Sequence, residues 1–562
     1  MFGFNIIYDN SISFSLEGDN FLSYVGEKKR KQISFSYTRF EKFSNDKIFK
    51  EDKDFIIGID GVILNLNKLK NSHGISDYFK LIKDLWLKRS YLMPNDFKGE
   101  FTGFVFDKNT EKLFVFCNQT ATKAVYYSRC KNAFIISSDI STIVDFKAKI
   151  GAENVLNKNA VYSMFTYGAM LENETLVQGV DRLNAGEYII IDDIKLSLNK
   201  YQDFNQITYS TNSKKQNLDL LENSFEYALK LEYHKDLEYG YNHIATLSGG
   251  LDSRMNVMLA NNMGYKNDVF CFSQSNYLDE QISREISEGF DLNYQFIALD
   301  EGNYFNNIRE NVEIGRGTVF YLSAAHFNYS LEKIDLEKYG LVHTGLIGDA
   351  ILGGFISNKP NDFSLKKMST KFDYKKELSN ETLSKYSSEE TFKLQNRIFN
   401  LINVGAFTVE NYQSYLVSPF MDVDFINTCL SIPPDLKRNG KLYLEWINKY
   451  HPELTKYKWE RTGFKPTHFW KTNLSRYSNK IKLEYFRLLK KENRLSMTPV
   501  EFWFRENEKI QLLYKNYFDE CILLVDDSSL RKDFEEMFKG NVFEKAMVIT
   551  VLNFIKENNI SV

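Results

Sequence analysis

Six consecutive residues, Ser248-Gly249-Gly250-Leu251-Asp252-Ser253, have the types and spacing to hold a phosphate. The two glycines let backbone N–H groups approach phosphate oxygens with no Cβ in the way. The serines add hydroxyl donors. A helix opening here would aim the positive end of its dipole at the same spot. Asp252 is out of place beside a phosphate unless a divalent cation lies between the two charges. A plain capped turn would account for the glycines but not for an aspartate flanked by serines. No lysine follows the glycines, which separates the run from the G-x-x-x-x-G-K-[S/T] loop.

A second Gly-rich turn, 344–354, carries Asp349. Two carboxylates facing one polyphosphate suit a bridging Mg2+. Taken alone, this turn reads equally well as a cap leading into a helix. Lys441 and Arg461, with Lys458 and Lys465 close by, are cations able to offset charge on a departing pyrophosphate. Without the first loop they would read as solvated surface charges.

The elements around these residues follow from periodicity. A strand-like run at 241–247 leads into the first loop, and a helical pattern at 254–263 leaves it. Strands at 269–273, 294–299 and 340–344 alternate with helical patterns, among them 279–290, where Ile282, Ile286 and Phe290 share one face. That alternation predicts a parallel sheet covered by helices, with ligands beyond the carboxyl ends of its strands. Residues 1 to about 200 look different. Runs at 11–16, 101–106 and 112–116 alternate at period two, interrupted by helical patterns at 75–88 and 158–167. The polar stretch 202–216 sets the boundary, giving units 1–205 and 217–562. Polar residues at 357–390 read as an excursion or flap, and the remainder reads as mostly helical.

Composition narrows the function classes. A chain of 562 residues exceeds one core, and 43% hydrophobic and 15% aromatic residues are ample for packing. A net charge of −3 argues against a nucleic-acid partner. Five scattered cysteines without C-x-x-C read as reduced thiols of a cytoplasmic protein, and seven histidines show no zinc-ligand spacing. No signal peptide and no membrane-spanning run are expected; 546–555 reads as a buried helix.

The chain resembles the asparagine synthetase family over nearly its whole length. Residues 248–253 resemble its ATP loop, of the kind that cleaves ATP between the α- and β-phosphates. Asp279-Glu280, the 344–354 turn, Ser418-Pro419-Phe420-Met421-Asp422, Lys441 and Trp459-Glu460-Arg461-Thr462-Gly463-Phe464 follow in the family's order. Near the start, Met1-Phe2-Gly3-Phe4 stands where the family begins Met-Cys-Gly-Ile, and 61–69 resembles its Asn-bearing strand. Segments 118–127 and 134–138 look like later strands of its glutamine amidotransferase layer. The resemblance implies an α/β and α+β chain. Its N-terminal domain would be a four-layer α/β/β/α unit of the Ntn-hydrolase type. Its C-terminal domain would be a parallel-sheet ATP-pyrophosphatase of the adenine nucleotide α-hydrolase type, with added helices. ATP and Mg2+ are the implied cofactors. Leu247, Ser248, Gly249, Gly250, Asp252, Ser253 and Gly348 would hold ATP, Asp252 and Asp349 the metal, and Lys441 and Arg461 would be catalytic.

Two departures matter. Phe2 replaces the N-terminal cysteine that such domains use as nucleophile, so glutamine hydrolysis should be dead and Asn65, the oxyanion-hole residue by resemblance, has nothing to stabilise. Leu346 stands where asparagine synthetases have glutamate and β-lactam synthetases tyrosine, which leaves the base unassigned; His326, Tyr321 and Glu389 are candidates, each reading more readily as structural. Arg461 replaces a lysine and keeps the charge in forked form.

The expectation is an amide-forming ligase without glutaminase activity. It would adenylylate a small-molecule or sugar-linked carboxylate and couple it to ammonia or an amine, without nucleic acid or membrane insertion, with a homodimer left open. A lasso-type peptide macrolactam cyclase is the runner-up. An RNA-modifying adenylylating enzyme and a non-catalytic nucleotide-binding protein are the readings from other classes.

Overall fold

A computed structural model describes residues 2–9, 18–26, 32–131, 133–357, 362–372, 383–467 and 496–562. The strand expected at 11–16 and part of the polar stretch 357–390 lie outside these residues.

The N-terminal half contains β1 (Gly3–Asp9), β2 (Asn20–Val25), β3 (Gln32–Thr38), β4 (Ile48–Glu51), β5 (Phe55–Ile63) and β6 (Gly99–Asp107). It continues with β7 (Lys112–Cys117), β8 (Tyr126–Cys130), β9 (Ala133–Ser137), β10 (Val180–Arg182), β11 (Glu187–Asp192) and β12 (Lys195–Lys200). They form two six-stranded antiparallel sheets, ordered β10-β8-β9-β1-β3-β2 and β12-β11-β7-β6-β5-β4. Phe4, Ile6 and Tyr8 of β1 and Phe35 of β3 face Ile56, Phe104, Phe106 and Val115 of the other sheet. One residue along, the side chains turn to the outer faces. There Ile57, Ile59 and Phe114 pack on the helix Tyr78–Arg89, and Ile7 and Ile135 on the helices Ile140–Lys149 and Lys158–Tyr167. The result is four layers, α/β/β/α. With both faces covered, β5 is buried along its whole length, and apart from Asp60 its sequence is apolar on both faces rather than alternating.

Two local expectations are corrected. The segment 61–69 is not one strand: β5 ends at Ile63 and the helix Leu66–His73 follows, while the helical pattern at 75–88 is the next helix, Tyr78–Arg89. Gly74, in the left-handed region at φ 64°, closes the first, and the Asp77 carboxylate accepts the Lys80 N–H to start the second. The segment 118–125 is a loop, not a strand. Its Asn118, Thr120, Thr122 and Lys123 side chains are buried, and their polar atoms bond inside the fold.

In the C-terminal half, the helix Lys214–Tyr239 starts inside the expected linker, because Ser213 and Gln216 form a reciprocal capping box. The sheet that follows contains β13 (Asn242–Thr246), β14 (Asn267–Ser273), β15 (Asn293–Ala298), β16 (Tyr339–His343) and β17 (Leu416–Val417). All pairs are parallel, in the order β15-β14-β13-β16-β17. The helix Val542–Asn558 is buried through 546–555, where only Thr550 and Asn553 are polar. No helix of the described residues is long and apolar enough to cross a membrane. All five cysteines are buried and free.

Buried charges tie the halves together. Lys123 Nζ lies 2.6 Å from Asp60 of β5 and also bonds Glu410 of the helix Phe399–Asn411. Arg316 bonds Glu410 at 3.0 Å and the Ser138 carbonyl at 3.0 Å. The fold also gathers two histidines that have no ligand spacing in sequence. His243 Nδ1 and His343 Nε2 both donate to Asp236 Oδ2, at 2.9 and 2.8 Å.

Candidate active site

The parallel sheet reverses its winding beside β13. From β13 the chain moves outward to β14 and β15, then returns to β16 on the other side. The loops leaving β13 and β16 therefore diverge from a crevice at the carboxyl edge. A cavity of about 400 Å3 opens there.

Leu247 extends β13 by one hydrogen bond, donating to the Phe270 carbonyl at 2.9 Å. The glycine turn follows at once, and the helix Leu251–Asn262 begins three residues earlier than its periodicity implies. The turn is cross-braced. Ser248 N–H donates to Ser253 Oγ (3.0 Å), Gly250 N–H to Ser248 Oγ (3.1 Å) and Gly249 N–H to the Asp279 carboxylate (3.0 Å). Arg254, buried, donates to Gly249 O at 3.1 Å and to the carbonyls of Leu454 and Lys458 at 2.9 and 2.5 Å. It thereby fastens the loop to the segment that carries Arg461.

The loop after β16 interlocks with this turn. A Cβ on Gly345 would lie 2.2 Å from Ser253 N, and one on Gly348 would lie 2.6 Å from Asp252 Cγ. Only glycine permits that approach. Between them Ile347 sits at φ 66°, a left-handed conformation that a β-branched residue adopts only when its surroundings force it. The loop is thus held under local strain beside the first one. Asp349 N–H donates to Asp252 Oδ2 at 2.8 Å, and the Tyr443 hydroxyl donates to Asp252 Oδ1 at 2.7 Å. Burial, with Asp349 beside it, pushes the Asp252 carboxyl up to about 8. Asp349 is itself half-exposed, 3.8 Å from Arg461.

Glu460 adds a third carboxylate. Its N–H donates to Gly249 O at 3.2 Å, and its Oε2 is buried without a hydrogen-bond partner among the described residues. Burial, with Asp279 nearby, pushes it up to about 7. Arg461 also lines the cavity, with its guanidinium 5.7 Å from the Trp459 ring centre.

Leu247, Ser248, Gly250, Asp252, Ser253, Asp349 and Arg461 all line this one cavity, and Gly249 and Gly348 form the backbone behind it. Lys441 does not line it. It is exposed at the first turn of the helix Lys441–Tyr450, one residue past the cavity-lining Gly440. Lys458 and Lys465 are also exposed and outside the lining. Of the residues considered for the place of Leu346, only His326 lines the cavity; burial pulls its imidazole down to about 4, so it is neutral. Tyr321 is buried against Tyr514, and Glu389 accepts the Ser357 N–H at 3.0 Å. Sequence reasoning missed Tyr443, Glu460 and Arg254 as parts of the site. Arg254 follows the loop directly and Glu460 precedes Arg461, but nothing local signals Tyr443.

In the N-terminal half, the Phe2 ring packs edge-on against Phe40 at 4.9 Å, over an apolar cluster with Val62 and Tyr415. Asn65 bonds the Asp96 carbonyl (2.8 Å) and the Lys98 N–H (2.9 Å), so both ends of its amide hold a loop. Residues 40–202 match the glutamine amidotransferase domain family. Across 393 residues the chain is 24% identical to "Putative asparagine synthetase [glutamine-hydrolyzing] 2" of Methanocaldococcus jannaschii, covering 66% of this chain and 74% of that protein. Two solved structures show weak overall likeness. One is the allosteric regulatory enzyme of purine biosynthesis (10% identity, TM-score 0.23, 52% of this chain and 74% of that one). The other is glutamine phosphoribosylpyrophosphate amidotransferase from B. subtilis (11%, TM-score 0.21, 57% and 68%).

Proposed function

We propose that this protein is an ATP-dependent carbon–nitrogen ligase that forms an amide and hydrolyses no glutamine. A carboxylate oxygen of the substrate attacks the α-phosphorus of ATP, the α–β bond breaks and pyrophosphate leaves. Ammonia or an amine then attacks the acyl carbon, and AMP departs. The observation that carries this reading is the interlock of two Gly-rich loops that brings Asp252 and Asp349 together at a helix N-terminus on the sheet's carboxyl edge. The similarity to a protein named as an asparagine synthetase supports it.

The residues fit a hard divalent cation. The donors are carboxylate oxygens, and burial beside Asp349 raises the Asp252 carboxyl to about 8, a cost that a cation held between the two would offset. Mg2+ held by Asp252 and Asp349 would neutralise charge on the phosphates. Ser248, Gly249, Gly250 and Ser253 cradle the phosphates, and Leu247 and Gly348 set the backbone around them. Arg461 faces the departing pyrophosphate, with Lys441 on the rim beyond it. Phe2 offers no nucleophile, so the N-terminal half, about 1–205, serves as a scaffold for the synthetase half, about 217–562. The nitrogen donor is free ammonia or an amine, and the protein works in the cytoplasm.

The test is Mg2+-dependent ATP–pyrophosphate exchange with pooled carboxylates. Exchange should vanish in Asp349→Asn. Near-native exchange in that variant would show that the carboxylate pair does not serve ATP.

A further inference from the structure

The cavity has two unlike sides. Its charged lining residues among those described are Asp252, Asp349, Glu460 and Arg461, and all four stand at the phosphate loop. On the β16–β17 side the wall is hydrocarbon. Leu346 and Leu401 are 36% and 48% exposed, and both line the cavity with Val404, Leu416 and Ala324. Leu401, Val404 and Gly405 lie at i, i+3 and i+4 on the helix Phe399–Asn411, which puts them on one face. A Cβ on Gly405 would stand 3.4 Å from Leu416 and 3.8 Å from Leu346, so the glycine keeps open one methyl's worth of space between the two leucines. Thr344, the polar side chain beneath this wall, has its hydroxyl committed to the Val417 carbonyl at 2.9 Å. The other polar groups nearby, Ser323, Asn439 and the neutral His326, are uncharged.

A single exposed leucine needs no explanation. Two that face one cavity, with no charged group beside them among the described residues, are different. A second carboxylate, an α-ammonium or a ring of sugar hydroxyls placed here would lose its water and find too few partners. We propose that the acyl substrate carries one carboxylate on a hydrocarbon chain or ring, that this hydrocarbon lies against Leu346, Leu401, Val404 and Leu416, and that Gly405 sets how bulky it can be. This rests on the ligase reading and names its substrate class. The carboxylate would point back across Leu346 to the phosphate loop, while the adenine ring takes the opposite side, where Phe270, Phe272 and Phe327 line the cavity below β14.

The test uses the full chain and separates the two readings. Mg·ATP binding is measured first by equilibrium dialysis. Failure to bind would overturn the ligase reading and this inference with it. Exchange of pyrophosphate into ATP is then compared for 4-phenylbutyrate, hexanoate, propionate, glucuronate and aspartate. Expected is exchange at least tenfold faster with phenylbutyrate or hexanoate than with glucuronate or aspartate. Leu346→Glu should lower that exchange tenfold or more while the Kd for Mg·ATP changes less than twofold. Gly405→Ala sits in a helix and makes only ordinary contacts, so it should fold. It should raise KM for phenylbutyrate at least fivefold more than for propionate. Exchange with glucuronate or aspartate but neither apolar acid, exchange with none of the five while ATP binds, or equal changes for large and small acids in Gly405→Ala would each overturn the inference and leave the nucleotide site standing.

Discussion

Replacing Asp252 by asparagine should make the ligand-free protein more stable and, at the same time, inactive. Asp252 is buried with Asp349 beside it, and its carboxyl is raised from an ordinary value near 3.8 to about 8. A carboxyl with a folded-state pKa above its unfolded value holds a proton that unfolding releases. Its contribution to stability is complete below about pH 4 and is lost as the pH climbs through 8. Each pH unit in that window is worth about 1.4 kcal/mol, so the ceiling across it is about 6 kcal/mol. Asparagine has the same shape and cannot ionise. Its carbonyl can accept the Asp349 N–H, and its amide can donate to the Tyr443 hydroxyl in place of the bond that now runs the other way. The variant should therefore track the wild type near pH 4 and exceed it increasingly up to pH 8. For a chain of this length, with an unfolding entropy of about 2 cal/mol/K per residue, each kcal/mol moves Tm by roughly 1 °C. A gap of a few degrees at pH 8 is the expected result in thermal melts across the pH series. Mg·ATP should raise the Tm of the wild type and not of the variant, which closes the gap from the other side. A variant that is less stable than the wild type at pH 8, or a gap that does not change with pH, would refute the reasoning.

Three further outcomes are expected. Arg461→Ala should lower turnover about a hundredfold while KM for the carboxylate changes little, and Arg461→Lys should recover part of the loss, because the charge returns without the fork; steady-state kinetics decide it, and a raised KM with intact turnover would make Arg461 a substrate anchor instead. The wild-type protein should release no glutamate from glutamine above a heat-killed control, and Phe2→Cys should not restore activity by itself, since Asn65 is engaged with residues 96 and 98. Lys123→Ala should destabilise the fold by about 3 kcal/mol, because it takes the ammonium from the buried Asp60 carboxylate, which is left with the Tyr37 hydroxyl, while Glu410 keeps Arg316; an unchanged urea midpoint would mean that the ionic bridge between the halves contributes nothing.

The sequence by itself determined what is local. The Gly-Gly turn between an apolar strand and a helix is a short-range pattern, and so is the alternation that makes the C-terminal sheet parallel; both are written within windows of a few dozen residues. The helix at 158–167 matched its pattern end to end because Asn157 caps it and Gly168 closes it. Periodicity failed where both faces of an element are covered, as in β5, since a strand that is apolar on both faces around one buried Asp60 carries no alternation to read. The family resemblance failed at 118–125, where buried side chains bond one another instead of a neighbouring strand. Tertiary structure alone decided which charges meet. Asp252 and Asp349 are 97 residues apart in sequence, and they touch only because glycines at 345 and 348 let one loop enter the other. Tyr443 reaches Asp252 across 191 residues, and Lys123 reaches Glu410 across 287. Lys441, equally basic in sequence, was left outside the cavity. Side chains of one type look alike along a chain; burial and contact, which depend on how the strands are ordered in the sheet, decide which of them shift their proton affinity and which remain in water.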